Sequence, residues 1–317
     1  MQAGHGCGQH PAFSAPSISR RDKDDASLGR KRAARTLSLV NVFAQDEITL
    51  HPGVVAIVGS KFEHNSYTGF EYQPTARLRW HVARSQMIWG GVSRAVRMPS
   101  RFDTDLRFTA GTPFVVIQGN PGFQSENVIE TELGYRNLAI PHVTLGVTVF
   151  NGRYDNLRSQ EPTPLLGFPI VLGNLHSGHV RGVEIATHVE PRPWWQLFGG
   201  YTLLDESFEF DPASRDTTGG SLEHNDPRHQ FWFRSSSDLP RRVSFDLTLR
   251  RVGALPKPVV PAHTELTLRV ARPVTRSLLL ELIGDNLLHA RTLELVQLGP
   301  PHAVPRSAFV RLTWETR

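Results

Sequence analysis

Short turn-forming segments alternate with longer ones along this chain, and stretches of period-two hydrophobicity separate them. Tight turns are expected near residues 50–53, 82–86, 137–142, 190–194, 237–242 and 271–277. Longer connections are expected near 64–70, 97–124, 154–177, 205–227, 252–262 and 286–305. Strict alternation makes neighbouring strands run up and down, and it gives the two ends of the sheet different surroundings. Short turns at one end and long loops at the other are how a transmembrane β-barrel is built.

The strand faces carry the pattern in detail. In 277–285, Leu278, Leu280 and Leu282 point one way, and Leu279, Glu281, Ile283 and Asp285 the other. In 243–251, Val243, Phe245, Leu247 and Leu249 oppose Ser244, Asp246, Thr248 and Arg250. In 264–271, Leu266, Leu268 and Val270 oppose Glu265, Thr267 and Arg269. In 127–136, Ile129, Leu133 and Tyr135 oppose Glu130, Glu132 and Arg136. The last strand sets Ala308, Val310, Leu312 and Trp314 against Ser307, Phe309, Arg311 and Thr313. Successive side chains of a strand point to opposite faces, so each set shares one face. The candidates for the lumen-facing, concave side are therefore Glu130, Glu132, Arg136, Asp246, Arg250, Glu265, Arg269, Glu281, Asp285 and Arg311. An antiparallel soluble sheet with one wet face would show the same alternation. Strand length separates the two: about thirteen strands are read here, many near the roughly 9–11 residues that cross a bilayer obliquely, against about 5–6 in soluble proteins. Trp80, Trp194, Trp195 and Trp314 fall near strand ends, where interfacial girdles sit.

Composition narrows the function classes. Hydrophobic residues make up 39% of the 317 residues, as suits strands that are greasy on one side only. The net charge of +5 comes largely from the Arg-rich first 35 residues, so no nucleic-acid surface is implied. A single cysteine, Cys7, excludes an internal disulfide framework. No apolar run reaches the roughly 20 residues of a membrane helix, and the N-terminus has no signal-peptide core. Residues 1–35 read as disorder. Their His5, Cys7 and His10 could ligate a metal but lack a fourth ligand and a scaffold, so no metal or cofactor is expected. Glu130 and Glu132, two apart on one face, read as solvated wall rather than an acid–base pair. No Gly-x-Ser-x-Gly elbow or phosphate loop occurs, so no catalytic residue is assigned. The loop aromatics Phe102, Phe108, Phe114, Phe123, Phe168, Phe208 and Phe210 are ligand-contact candidates, because long loops carry function.

A string of segments from Leu37 to Trp314 resembles the C-terminal half of a TonB-dependent outer-membrane receptor barrel. The segments are Phe43-Ala-Gln-Asp-Glu47 with Leu50-His-Pro-Gly53, then Trp89 with Val92-Ser-Arg-Ala-Val-Arg-Met-Pro-Ser100, then Ser125-Glu126 with Glu132-Leu-Gly-Tyr-Arg136. Phe150-Asn-Gly-Arg-Tyr-Asp155, Asn225-Asp-Pro-Arg-His-Gln230, Gly284-Asp-Asn-Leu-Leu288 and Arg306-Ser-Ala-Phe-Val-Arg-Leu-Thr-Trp314 complete the set. The resemblance implies part of a 22-stranded barrel around an N-terminal plug. It implies uptake of a ferric siderophore or similar nutrient, and no enzyme activity. Implied partners are outer-membrane lipid, the barrel-assembly machinery, a small ferric chelate, and the TonB energy-coupling protein through the plug. The expected location is the outer membrane of a Gram-negative bacterium. The chain has no room for a plug, and Glu315, Thr316 and Arg317 follow the terminal aromatic residue.

A strand count adds an expectation. The strand from Thr36 runs into a short turn and so descends, and the last strand also descends. The count is then odd, where barrels of this type have an even number. The sequence therefore reads as a truncated barrel spanning 36–317, not competent for uptake alone, preceded by a disordered, non-native segment 1–35. The rival readings are a gene fragment that never inserts, and a soluble β-sandwich binding module or secreted hydrolase.

Overall fold

In the computed structural model, residues 17–21, 36–164, 166–218, 225–295 and 302–315 are described. In chain order the first strands are β1 (Ser17–Arg21), β2 (Thr36–His51), β3 (Val54–Asn65), β4 (Gly69–Ala83) and β5 (Gln86–Arg97). A short helix, α1 (Arg101–Asp105), and the small strands β6 (Arg107–Phe108) and β7 (Ile117–Gln118) follow. Next come β8 (Glu126–Asn137), β9 (Val143–Pro162), β10 (Ile170–Arg192), β11 (Trp195–Phe210), β12 (His229–Leu239) and β13 (Val243–Val252). The last part holds β14 (Leu255–Pro256), β15 (Val259–Val260), β16 (His263–Pro273), β17 (Leu278–Asp285), β18 (Arg291–Leu295), β19 (His302–Pro305) and β20 (Ser307–Trp314).

One antiparallel path runs β1-β2-β3-β4-β5-β8-β9-β10-β11-β12-β13-β16-β17-β20. Among the described residues no backbone pairing joins β1 to β20, so both edges of the sheet are open. This is a single sheet, not the two facing sheets of a sandwich.

All six expected tight turns form. Gly53, at φ +86, closes the turn between β2 and β3, and its carbonyl accepts from the His81 amide at 2.7 Å. Four of the long connections are revised. The segment 64–70 is itself a short hairpin, because β3 pairs with β4 up to Asn65 opposite Gly69. The loops expected at 154–177 and 205–227 shrink, because β9, β10 and β11 keep pairing far beyond their neighbours and reach 20, 23 and 16 residues. The segment 286–305 contains the hairpin β18–β19.

The N-terminal segment also differs from expectation. Most of it lies outside the described residues, but Ser17–Arg21 pairs antiparallel with β2, from Arg21 opposite Thr36 to Ser17 opposite Val40. That supplies an ascending strand before β2, and the path of fourteen strands is even. The odd count came from starting at Thr36.

Register fixes the faces. Arg136 lies opposite Gly146, Gly146 opposite Ala186, Ala186 opposite Gly200, Gly200 opposite Trp232, Trp232 opposite Arg250, and Arg250 opposite Glu265. Cross-strand partners share a face. Continued through the pairs Asp246–Arg269, Arg269–Ile283 and Glu281–Arg311, this series puts all ten predicted charged residues on one face. The opposite face is apolar and open: Leu282, Val310 and Leu312 are 56%, 62% and 64% exposed. Trp80, Trp194 and Trp314 are exposed at the tight-turn end. Buried hydrophobics are far fewer than exposed large ones among the described residues, the reverse of a protein that folds around a greasy core in water.

On the charged face, rings lie over glycines of the next strand: Trp89 over Gly134, Phe150 over Gly182, Phe208 over Gly178 and Trp232 over Gly200. A Cβ at Gly134 would fall within the Trp89 ring system. Gly134→Ala is therefore expected to destabilise the sheet by about 1–3 kcal/mol. Gly146→Ala, whose Cβ would meet nothing closer than 3.9 Å, is expected to be tolerated. Denaturant unfolding of the refolded chain in detergent checks the pair, and equal loss in both would reject the ring-over-glycine account.

Candidate functional site

At the long-loop end, three separate stretches of sequence meet around Asp103. Ser100 caps α1: its hydroxyl accepts from the Asp103 amide, while the Asp103 carboxylate accepts from the Ser100 amide at 2.9 Å and from its hydroxyl at 2.8 Å. Arg97 at the end of β5 reaches Asp103 at 3.3 Å, and Arg158 of β9 reaches it at 3.5 Å. Arg97 also clamps Glu126 through both of its ends, one contact at 2.6 Å. The second Glu126 oxygen accepts from the Arg158 amide at 3.1 Å. Asp103 is completely buried. Burial pushes its carboxyl up, but the hydrogen bonds from Ser100 and the charges of Arg97 and Arg158 outweigh this and hold it below the ordinary range. A buried charge with two guanidiniums beside it, as Asp103 has in Arg97 and Arg158, is stable where an unpaired one is not. The cluster seats the long β5–β8 connection onto the sheet.

Beside that seat lie two polar clefts, of about 830 and 380 Å³, which share Gly122, Gln124 and Asn156. Asn174 closes the junction: it accepts from the Gln124 amide at 2.7 Å and donates to the Asn156 carbonyl at 2.7 Å. Glu161 holds the next loop, accepting from the Ser214 hydroxyl and the Arg215 amide, each at 2.7 Å.

The predicted aromatics divide. Phe102 on α1 stays partly exposed with Arg158 over its ring at 5.7 Å. Phe114 and Phe168 are exposed, whereas Phe123 is only 3% exposed and packs the loop. Phe108 lies in β6. Phe208 and Phe210 are strand residues of the extended β11, not loop residues, and both rings pack on the buried His176, at 5.4 and 4.4 Å. The cluster His5, Cys7 and His10 lies outside the described residues.

Along the charged face an ion ladder crosses five strands. Arg234 and Arg269 flank Asp246 at 3.1 and 2.6 Å, and Arg269 and Arg311 flank Glu281 at 2.7 and 2.9 Å. Arg250 pairs with Glu265 at 3.3 Å. Arg77 reaches Glu132 at 3.6 Å across Gly91 on the strand between them. Arg136 lies over Trp89. Glu130 and Asp285 sit on this face by register. Carboxylates, guanidiniums and flat rings along a wall, with polar clefts above it, can bind and pass a polar solute.

The family described as TonB-dependent receptor-like, β-barrel, matches residues 9–238. The chain belongs to the TonB-dependent receptor-like β-barrel family. The match begins within the segment read above as foreign to the barrel. A ferric enterobactin receptor of Pseudomonas aeruginosa is 24% identical over 152 residues, 45% of this chain and 19% of the relative. A solved mutant of the ferric enterobactin receptor from Pseudomonas aeruginosa superimposes with a TM-score of 0.69 at 16% identity, covering 95% of this chain and 49% of its own. A siderophore receptor from Acinetobacter baumannii gives 0.73 at 12% identity, covering 96% and 51%. The chain thus spans about half the length of these solved receptors, and it shares their fold.

The Asp103 seat escaped the sequence reading, because Glu126 and Arg158 come from stretches far from residues 97–103. The one local signal was Ser100 three residues before Asp103, the spacing of a reciprocal cap. Asp103→Ala removes the ion pairs to Arg97 and Arg158, while Arg97 keeps its clamp on Glu126, and is expected to ease opening of the loop by about 1–3 kcal/mol, read as faster limited proteolysis within 101–124. A depressed carboxyl contributes stability that is present above its unfolded-state pKa and lost as pH falls through the lower folded-state value. The native loop is therefore expected to become protease-sensitive on acidification, while the alanine variant is sensitive throughout.

Proposed function

We propose that this chain forms wall and mouth of an outer-membrane receptor for energy-coupled uptake of a ferric siderophore or similar nutrient. The observation that carries this reading is the division of one continuous antiparallel sheet into an open apolar face and an ion-laddered face, in a chain of the receptor family. In that reading lipid covers the apolar side, the tryptophans at the tight-turn end lie at the periplasmic interface, and the long-loop end faces outward. The barrel-assembly machinery would insert the strands, and the TonB energy-coupling protein would act through a plug inside the closed wall. The relatives named above are receptors for ferric enterobactin and other siderophores, which favours a ferric chelate as the ligand. The polar clefts with Phe102 and Arg158 beside them are the proposed contact region. The work is binding and passage rather than catalysis.

Open edges carry unpaired N–H and C=O groups that lipid cannot satisfy. The sheet by itself is therefore proposed not to perform gated uptake. Exported through an added signal sequence, the chain should give no siderophore-dependent growth in a strain lacking the matching receptor, and rescue of growth overturns that part of the proposal.

The membrane reading has its own test. Leu247 and Thr248 are neighbours on β13 with opposite faces. Leu247→Arg is expected to cost about 2–4 kcal/mol and Thr248→Arg much less, measured by reversible unfolding of the chain in lipid vesicles. Equal losses would reject the assignment of faces. Ferric enterobactin should quench tryptophan fluorescence of the vesicle-inserted chain, and Arg158→Ala should weaken this at least several-fold. An unquenched native chain would remove the siderophore from the proposal.

A further inference from the structure

One group of side chains near the long-loop end lies apart from the clefts, tied to the charged face through the Arg250–Glu265 pair. His263 opens β16, Glu265 follows on the same face, and Glu294 comes from β18 in the hairpin that returns after β17. One donor atom from each lies within 4.8 Å of the others.

The His263 Nδ1 lies 3.4 Å from the Pro261 carbonyl. A carbonyl only accepts, so Nδ1 is the donor in that contact, and Nε2 is the ring nitrogen turned toward the carboxylates. It faces Glu265 Oε1 at 3.3 Å. Both atoms are buried, and neither makes a hydrogen bond. The other Glu265 oxygen pairs with Arg250 at 3.3 Å. Three ligand atoms therefore converge, and two of them are buried without a hydrogen-bond partner. Such an arrangement calls for a small cation in the middle.

We propose that His263, Glu265 and Glu294 form a binding site for a divalent transition-metal ion of the zinc class, which pins the β18–β19 hairpin to the mouth end of β16. One imidazole and two carboxylates suit zinc, with water as the fourth ligand. The surroundings are those of ligating groups: the imidazole is oriented by a backbone carbonyl, and one carboxylate by a guanidinium.

The test uses the full chain refolded in detergent, with His5→Ala, Cys7→Ser and His10→Ala so that the N-terminal donors contribute nothing. Zinc is titrated calorimetrically against a competing chelator, and cobalt is added separately to read coordination from its visible absorption. The expected result is one equivalent bound, cobalt bands of four-coordinate nitrogen–oxygen ligation, and at least ten-fold weaker binding in His263→Asn and in Glu294→Gln. Glu294 lies in the hairpin off the main sheet, so its glutamine variant leaves the barrel strands intact. Zinc should also slow proteolysis of the β18–β19 hairpin in the native chain but not in Glu294→Gln. No saturable binding by the native chain overturns the proposal. So does binding that survives both substitutions.

Discussion

Cross-strand register holds this structure together, because it keeps the whole ion ladder of the wall on one side. The series from Arg136 through Gly146, Ala186, Gly200 and Trp232 to Arg250 and Glu265 crosses six strand pairings without a change of face. A slip of one residue anywhere would turn a strand over. On β13 it would put Asp246 and Arg250 on the apolar side and Leu247 and Leu249 among the ions. The ladder through Asp246 and Glu281 adds a penalty to any such slip, since each carboxylate has two guanidiniums placed for it and is nearly buried.

The mouth depends on that frame. Arg97 and Glu126 end β5 and begin β8, and their side-by-side register makes the two-point clamp. Arg158 belongs to the part of β9 that outgrows β8, so it can reach over to Asp103. The long connection is thus fastened by strand ends rather than by its own packing, although Phe123 adds one buried ring. Fastening at a few charged points leaves the polar clefts beside it open.

The faces were legible in the sequence because period-two alternation needs no knowledge of partners: Leu280 and Glu281 declare opposite sides by position alone. The ion partners were not, since Arg269 meets both Asp246 and Glu281 only once two registers are fixed. The reach of β9, β10 and β11 was hidden by Gly173, Gly178 and the bulge near His176, which read as loop. Phe208 and Phe210 were misplaced for that reason. β1 was missed because Ser-Ile-Ser-Arg-Arg is too short to show a pattern amid charge and small residues. The grouping of His263 and Glu265 with Glu294 depends on a hairpin folding back, which no local spacing announces.

The rings that lie over glycines bear on the inner relief of the wall. An upright side chain stands away from the sheet, but a ring lying over a bare glycine backbone adds little height. At Trp89, Phe150, Phe208 and Trp232 the inner surface is therefore a low pavement of aromatic planes set between taller charged posts. The relief of this face is therefore uneven on the scale of single side chains, low over the glycines and high at the ion pairs between them.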